Sequence, residues 1–298
     1  MKYRRLGKTN LNVSVIGLGT WQFGGEWGKE FTQDEANQIL GRAQQLGINL
    51  IDTAECYGDH TSERLIGSAT KNQRDKWIIA TKFGHRFLGY MKRSDDRSPA
   101  DVQKQLEDSL KALQSDYIDI YQFHSVRDNE FFNETLWKIL FDAKRAGKIR
   151  HIGNSISSGL DGAPQADAST RAQVEALQVL YNRLDRRPEE KILPSAQKQD
   201  LGVLARVPLA SGFLTGKYKP GTKFQEGDVR HEQKPQEVEK KLREVERIAR
   251  EEVPPGVPMA HWALAWCLRH PAVTAVIPGC KDVHQVESNA KAADLVGN

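Results

Sequence analysis

The chain has 298 residues, of which 39% are hydrophobic and 28% charged, with a formal net charge of +4 and a pI near 8.8. That composition is globular, and the length leaves room for two average domains or one large α/β barrel. Its well-mixed charges predict no nucleic-acid partner, and no run approaches the roughly 18 apolar residues that span a membrane.

Residues 3–6 and 13–16 flank Gly7-Lys8-Thr9-Asn10 and read as a β-hairpin. Val15–Thr20 reads as a buried strand ending in small residues. Residues 33–47 carry Ala36, Ile39, Leu40, Ala43 and Leu46 at helix spacing, with Gly47 as a stop. The same grammar then repeats. Strands are expected at Leu50–Asp52, Trp77–Thr81, Ile118–Phe123, Ile149–Gly153, Ala176–Leu180, Gly202–Val207 and Val273–Ile277. Helices are expected at Ser62–Thr70, Ser98–Leu113, Asn133–Ala146, 157–170, Glu189–Gln199, 235–252, Pro258–Arg269 and Asp282–Ala292. Ser98-Pro99 makes a good N-cap and first-turn pair.

The strands are short apolar runs without alternation, as parallel strands covered by helices require. Eight such units suit a (β/α)8 TIM barrel with an N-terminal β-hairpin, one domain over residues 1–298. A doubly wound sheet is the runner-up, but Gly17-Leu18-Gly19 lacks the third glycine of the dinucleotide fingerprint. Three cysteines without CxxC spacing, and an N-terminus without an apolar leader, predict a cytoplasmic protein. Eight histidines without HxH or HExxH predict no metal. The charged helix 235–252 reads as a solvated face, and Trp262, Trp266 and Leu268 read as core.

In a barrel, active-site groups gather where strands end. Asp52 ends the second strand, with Tyr57 in the following loop; Lys82 ends the third and His124 the fourth. The fifth ends in Asn154-Ser155, and the sixth carries Gln178. Asp52 and Tyr57 alone also read as a capping acid and a packing ring. Together with Lys82 and His124 they suit proton transfer to a carbonyl. A free phenol has a pKa of about 10; an adjacent ammonium lowers it, so Lys82 is expected to tune Tyr57 as a general acid, with Asp52 holding Lys82. None of these groups supplies a hydride, so a reduction needs a cofactor.

Asp52-Thr-Ala-x-x-Tyr57-Gly58, Ser62-Glu63, Gly67, Lys82 and His124 resemble the aldo-keto reductase superfamily. So do Gly17-Leu-Gly-Thr-Trp21, Gly147-Lys-Ile-Arg-His-Ile-Gly153, Pro208-Leu-Ala-Ser-Gly212 with Lys217, and Ile277-Pro-Gly279 with Gln285 and Asn289. The resemblance covers nearly the whole chain. It implies NADPH-dependent reduction of aldehydes or ketones, with Asp52, Tyr57, Lys82 and His124 as catalytic tetrad and NADPH/NADP+ as cofactor. It places Gly19, Thr20, Trp21 and Asp52 against the cofactor, and Ser155 and Gln178 at the nicotinamide carboxamide. Pro208, Leu209, Ser211, Gly212 and Lys217 fall on the pyrophosphate loop, with Arg230 reaching the phosphates. Gly279, Lys281, Gln285 and Asn289 fall at the adenosine end, where a cation such as Lys281 favours a 2′-phosphate and the last helix N-terminus suits anions.

Two positions depart from the family pattern. Gly153-Asn154-Ser155-Ile156 leaves the usual amide after the serine unaccounted for, and Arg206 stands where an aromatic usually stacks on the nicotinamide. The resemblance places Trp21, Phe23, Trp27, Tyr57, Phe83, His85 and the stretch Phe87–Tyr90 around a small-molecule carbonyl substrate. Cys56 reads as a buried bystander. Two alternatives are a cofactor-sensing regulatory subunit on the same barrel and a metal-assisted hydrolase. The residues leave the oligomeric state open.

Overall fold

The computed structural model describes residues 1–157, 159, 161–225 and 228–297. Strands β1 (Tyr3–Arg5) and β2 (Asn12–Ser14) form the expected antiparallel hairpin. Leu6 and Val13 pack beneath the central sheet, against Leu50, Ala80, Ile120, Ala176 and Leu204.

The chain then alternates. β3 (Leu18–Gly19) and α1 (Gln33–Gln45) lead to β4 (Leu50–Asp52) and α2 (Thr61–Thr70). β5 (Ile78–Phe83) is followed by a hairpin of β6 (His85–Gly89) and β7 (Lys92–Asp95), then α3 (Pro99–Leu113). β8 (Ile118–His124), the short α4 (Asp128–Phe131) and α5 (Glu134–Arg145) come next. β9 (Ile149–Ser155) and α6 (Ala163–Ala168) precede β10 (Ala176–Leu180) and α7 (Ile192–Lys198). β11 (Gly202–Arg206), α8 (Pro235–Glu251), α9 (Met259–Leu268), β12 (Ala275–Val276) and α10 (Val283–Lys291) complete the order.

The central strands pair in the order β3-β4-β5-β8-β9-β10-β11-β12, all parallel. Parallel bridges Ile16↔Val276 and Gly19↔Gly279 join the last strand to the first. Gly17 N donates to Val276 O at 2.8 Å and Gly19 N to Pro278 O at 3.0 Å along that seam. The sheet is therefore a (β/α)8 barrel, as expected.

Strand alternation decides what each side chain meets. Leu50, Ala80, Ile120, Ala176, Leu204 and Ala275 form an apolar cluster inside the barrel with the hairpin residues. Ile51, Ile79, Tyr121, Leu177, Val203 and Ala205 belong to the second cluster, between sheet and helices. Asp52, Lys82, Gln122, Gln178 and Arg206 share the inward parity of the first set, two residues farther along their strands.

Most element boundaries fall within two or three residues of expectation. The first strand is shorter, and the helix expected from Glu189 starts at Ile192 after a 3-10 turn at Arg187–Glu189. The helix expected over 157–170 spans Ala163–Ala168; Ser158 and Leu160 of that segment lie outside the described residues. The β6–β7 hairpin was not expected. On α8, Val238, Leu242, Val245 and Ile248 are buried while Arg243 and Arg247 pair with Glu239, Glu244 and Glu251. Trp262 and Leu268 are buried as expected, and Trp266 is partly buried. Among the described residues no helix is long and apolar enough to cross a membrane.

Candidate active site

Three elements bring the central groups together. Asp52 closes β4, Lys82 lies one residue before the end of β5, and Tyr57 sits in the turn before α2. Lys82 Nζ donates to Asp52 Oδ1 at 2.8 Å, to Thr53 O at 2.7 Å and to Tyr57 Oη at 3.2 Å. Asp52 Oδ2 accepts from Gln178 Nε2 at 2.6 Å and from Gln122 Nε2 at 3.4 Å. Lys82 is 1% exposed, so its charge depends on these partners. His124 ends β8 with its ring 6.2 Å from that of Tyr57, edge to face.

The electrostatics follow from burial. Burial pushes the Tyr57 phenol up to about 12, against the downward pull of Lys82. The ammonium was expected to set this pKa; desolvation outweighs it, and the phenol keeps its proton at neutral pH. Burial also opposes the Lys82 ammonium, but Asp52 and the phenol outweigh it and the lysine pKa ends raised. Burial, reinforced by Lys82, His85, Arg93 and Arg206, holds His124 well below the ordinary histidine value. The site thus presents a neutral phenol and a neutral imidazole beside a buried ion pair.

Trp21 stacks near Tyr57 with ring centroids 6.2 Å apart, and Trp27 meets Trp21 edge-on at 5.3 Å. Trp21 Nε1 donates to Glu26 Oε2 at 2.5 Å, and the buried Glu26 carboxylate also takes Arg93 of β7. The His85 ring lies 4.7 Å from His124. Trp21 and His85 therefore flank the candidate substrate site around Tyr57 and His124, with Trp27 against Trp21. Phe23 and Phe83, expected to line it, lie in the core instead. Phe83 follows inward-facing Lys82, so its ring turns outward onto Tyr121 and Phe123, each at 4.7 Å. Phe23 packs on Phe31 at 5.0 Å. In the expected stretch Phe87–Tyr90, Leu88 and Tyr90 are exposed near the tip of the β6–β7 hairpin.

Ser155 Oγ donates to Gln178 Oε1 at 3.4 Å, at the inner end of β9. Asn154 points the other way: its Nδ2 donates to Gln165 Oε1 at 2.9 Å, on α6. Alternation thus settles the first departure, since Asn154 lies behind the strand. Arg206 turns inward, and its Nη2 donates to Ile156 O at 3.2 Å while its buried Nε has no hydrogen-bond partner among the described residues. After it, Val207, Ala210 and Ser211 hold φ of 54°, 49° and 56° and Gly212 holds 88°. Left-handed backbone at non-glycine residues is strained and clusters at functional loops.

Arg230 Nε and Nη2 donate to Asp228 at 2.8 and 2.5 Å, Nη1 donates to Ser211 O at 3.4 Å, and the guanidinium lies over Tyr218 and Phe224. Pro208 is buried, Leu209 is partly so, and Lys217 is exposed. Lys281 Nζ donates to Trp27 O at 3.1 Å, and Asn289 Nδ2 to Gly279 O at 3.5 Å. Gly19 and Gly279 meet across the seam, beside Thr20, whose Oγ1 donates to Asp52 O at 2.8 Å. A Cβ on Gly279 would lie 2.0 Å from Gln22 Nε2, and buried Gln22 Oε1 lacks a partner among the described residues. At α10, Asp282 Oδ1 already accepts from Gln285 N at 2.8 Å, so an acid caps the helix end expected to receive phosphate.

Gln122, Glu55, Glu26 and Arg93 belong to this neighbourhood without being expected from the sequence. Gln122 was legible as the polar residue two positions past Ile120 in an apolar strand. Glu55 Oε1 accepts from His85 N at 2.9 Å, and buried Oε2 has no hydrogen-bond partner among the described residues. Burial pushes its carboxyl up to about 8.

The sequence model of the Aldo/keto reductase family matches residues 15–296. The chain is 33% identical over 295 residues to the uncharacterized oxidoreductase YqkF of Bacillus subtilis, covering 99% of this chain and 92% of that protein. It is 29% identical to the NADH-specific methylglyoxal reductase of Escherichia coli, covering 99% and 94%. The aldo-keto reductase AKR11C1 of Bacillus halodurans, in its holo form, superposes with a TM-score of 0.82 at 30% identity, covering 99% and 91%.

Proposed function

The chain belongs to the aldo/keto reductase family and is an oxidoreductase; from that premise we propose that it reduces aldehydes or ketones to alcohols with NADPH, Tyr57 acting as general acid. One observation carries the reading: a single buried ammonium, Lys82, binds both the Asp52 carboxylate and the Tyr57 hydroxyl. The nicotinamide cofactor supplies the hydride when bound. Tyr57 Oη holds a proton at neutral pH and gives it to the substrate oxygen as negative charge grows there. Lys82 lowers the cost of the phenolate that results, and Asp52 keeps Lys82 charged and in place. Neutral His124 donates a hydrogen bond to the same oxygen. Trp21 and Trp27 give the cleft apolar walls that keep water from competing.

Ser155 and Gln178 would hold the carboxamide and Arg206 would lie against the ring. Arg230, Lys217 and Lys281 supply cations toward a phosphate-bearing nucleotide, which favours NADPH. The relative named for NADH makes the comparison of the two cofactors decisive. The purified protein is mixed with NADPH or NADH and with methylglyoxal, DL-glyceraldehyde or 4-nitrobenzaldehyde, and loss of reduced-nicotinamide absorbance is followed. We expect turnover of at least one carbonyl, faster with NADPH. Turnover with NADH alone would overturn the cofactor preference. No turnover of any carbonyl with either cofactor would overturn the reductase reading and favour a cofactor-sensing role.

A further inference from the structure

We propose that Cys56 is a positioning residue for His124: its thiol donates to Nδ1 and so keeps the imidazole hydrogen on Nε2, the nitrogen available to a carbonyl oxygen. This rests on the reductase reading above. Cys56 Sγ lies 3.7 Å from His124 Nδ1. Cys56 is 1% exposed, so solvent does not reach its thiol, while the His124 side chain is 15% exposed.

A neutral imidazole carries one N–H. On Nδ1, that hydrogen would leave Nε2 presenting a lone pair to the substrate oxygen, where a donor is needed. Which nitrogen carries it is set by what faces the other. Two groups face Nδ1: the Cys56 thiol and Glu55 Oε2, 4.0 Å away. Burial holds the Cys56 thiol well above its ordinary pKa, so it keeps its hydrogen. With His124 neutral, Nδ1 can accept, and a hydrogen bond from Sγ to Nδ1 is the arrangement that leaves the ring hydrogen on Nε2.

Glu55 is the competitor. Protonated, it can also donate toward Nδ1; ionised, it draws a hydrogen onto Nδ1. The remaining charged neighbours of His124 are Lys82 on β5, His85 on β6, Arg93 on β7 and Arg206 on β11, all of which oppose imidazolium. Glu55, Cys56 and His124 bring three ligand-type atoms within 4.8 Å of one another. Lys82 and Arg93 act electrostatically on the same thiol, and both disfavour a further cation there.

The test is the imidazole nitrogen spectrum of the full chain, labelled with 15N-histidine, for the natural protein, Cys56→Ala, Cys56→Val and Cys56→Ser, below and above the Glu55 titration. The natural protein should show His124 with its hydrogen on Nε2. In Cys56→Ala and Cys56→Val, the hydrogen should move toward Nδ1 as Glu55 ionises. Their kcat should fall by about threefold to tenfold, the range one modest hydrogen bond covers, with NADPH affinity unchanged. Cys56→Ser should restore both readouts. An unchanged tautomer in the folded Ala or Val variant at every pH would overturn the proposal. A tautomer that responds as stated, in a protein that turns over no carbonyl, would overturn the reductase reading and leave the positioning role standing.

Discussion

The barrel interior holds two layers built on the same strands. In the first, Leu50, Ala80, Ile120, Ala176 and Leu204 pack on the hairpin and need nothing but apolar contact. In the second, two residues or about 6.6 Å farther on, the same strands present Asp52, Lys82, Gln122, Gln178 and Arg206. There each group must be answered by another: Asp52 takes Lys82, Gln178 and Gln122. Replacing a buried ion pair by apolar residues is often neutral or stabilising. Folding alone therefore does not call for the second layer, whereas the proposed chemistry does.

The strongest way to break this contrast is to make the second layer resemble the first. Lys82→Met leaves Asp52 buried without its cation, which should cost about 3–5 kcal/mol in a denaturant melt. It also removes the ammonium that draws the Tyr57 phenol down, and carbonyl reduction should fall about 10²–10⁴-fold. Asp52→Asn combined with Lys82→Met should regain most of the stability and none of the activity. A double variant as unstable as the single one would contradict the pairing.

Glu55 sharpens the contrast from the other side, because it is a second-layer neighbour whose Oε2 is unanswered among the described residues. Its folded pKa is raised from 4.5 to about 8. The sign follows: the stability tied to its bound proton is full below 4.5, drains away as pH rises toward about 8, and is constant beyond. At about 1.4 kcal/mol per unit, the loss is capped near 5 kcal/mol. Glu55→Gln should therefore be the more stable protein above pH about 8 and match the natural one near the unfolded value of 4.5. Identical melting curves at both ends would contradict it.

Much of this was legible in the sequence, for a physical reason. Parallel strands under helices read as short apolar runs, and polar residues ending those runs stand out. That is how Asp52, Lys82, His124 and Ser155 were found. The failures are failures of direction. Phe83 adjoins Lys82 in sequence but faces the opposite side of the strand, and Asn154 does the same beside Ser155. The β6–β7 hairpin stayed hidden because it pairs only with itself and exposes Leu88 at its surface. The contact between Cys56 and His124 spans 68 residues of sequence, and no local pattern announces it.

The smallest expected effect concerns Arg206, whose guanidinium sits inward where the family pattern has an aromatic. A positive charge there disfavours an oxidised, positively charged nicotinamide relative to the reduced one. Arg206→Trp should tighten NADP+ relative to NADPH by about threefold, or roughly 0.65 kcal/mol, in paired fluorescence titrations. An unchanged ratio would remove the charge argument.

The most direct test of the second layer as a proton-delivery site is Tyr57→Phe, which deletes one oxygen and keeps the ring against Trp21. Steady-state carbonyl reduction and NADPH binding should be measured on the same folded preparation. Turnover should fall about 10²–10⁴-fold while NADPH affinity stays within about twofold of the natural protein, a shift worth roughly 0.4 kcal/mol. Turnover equal to that of the natural protein would contradict it.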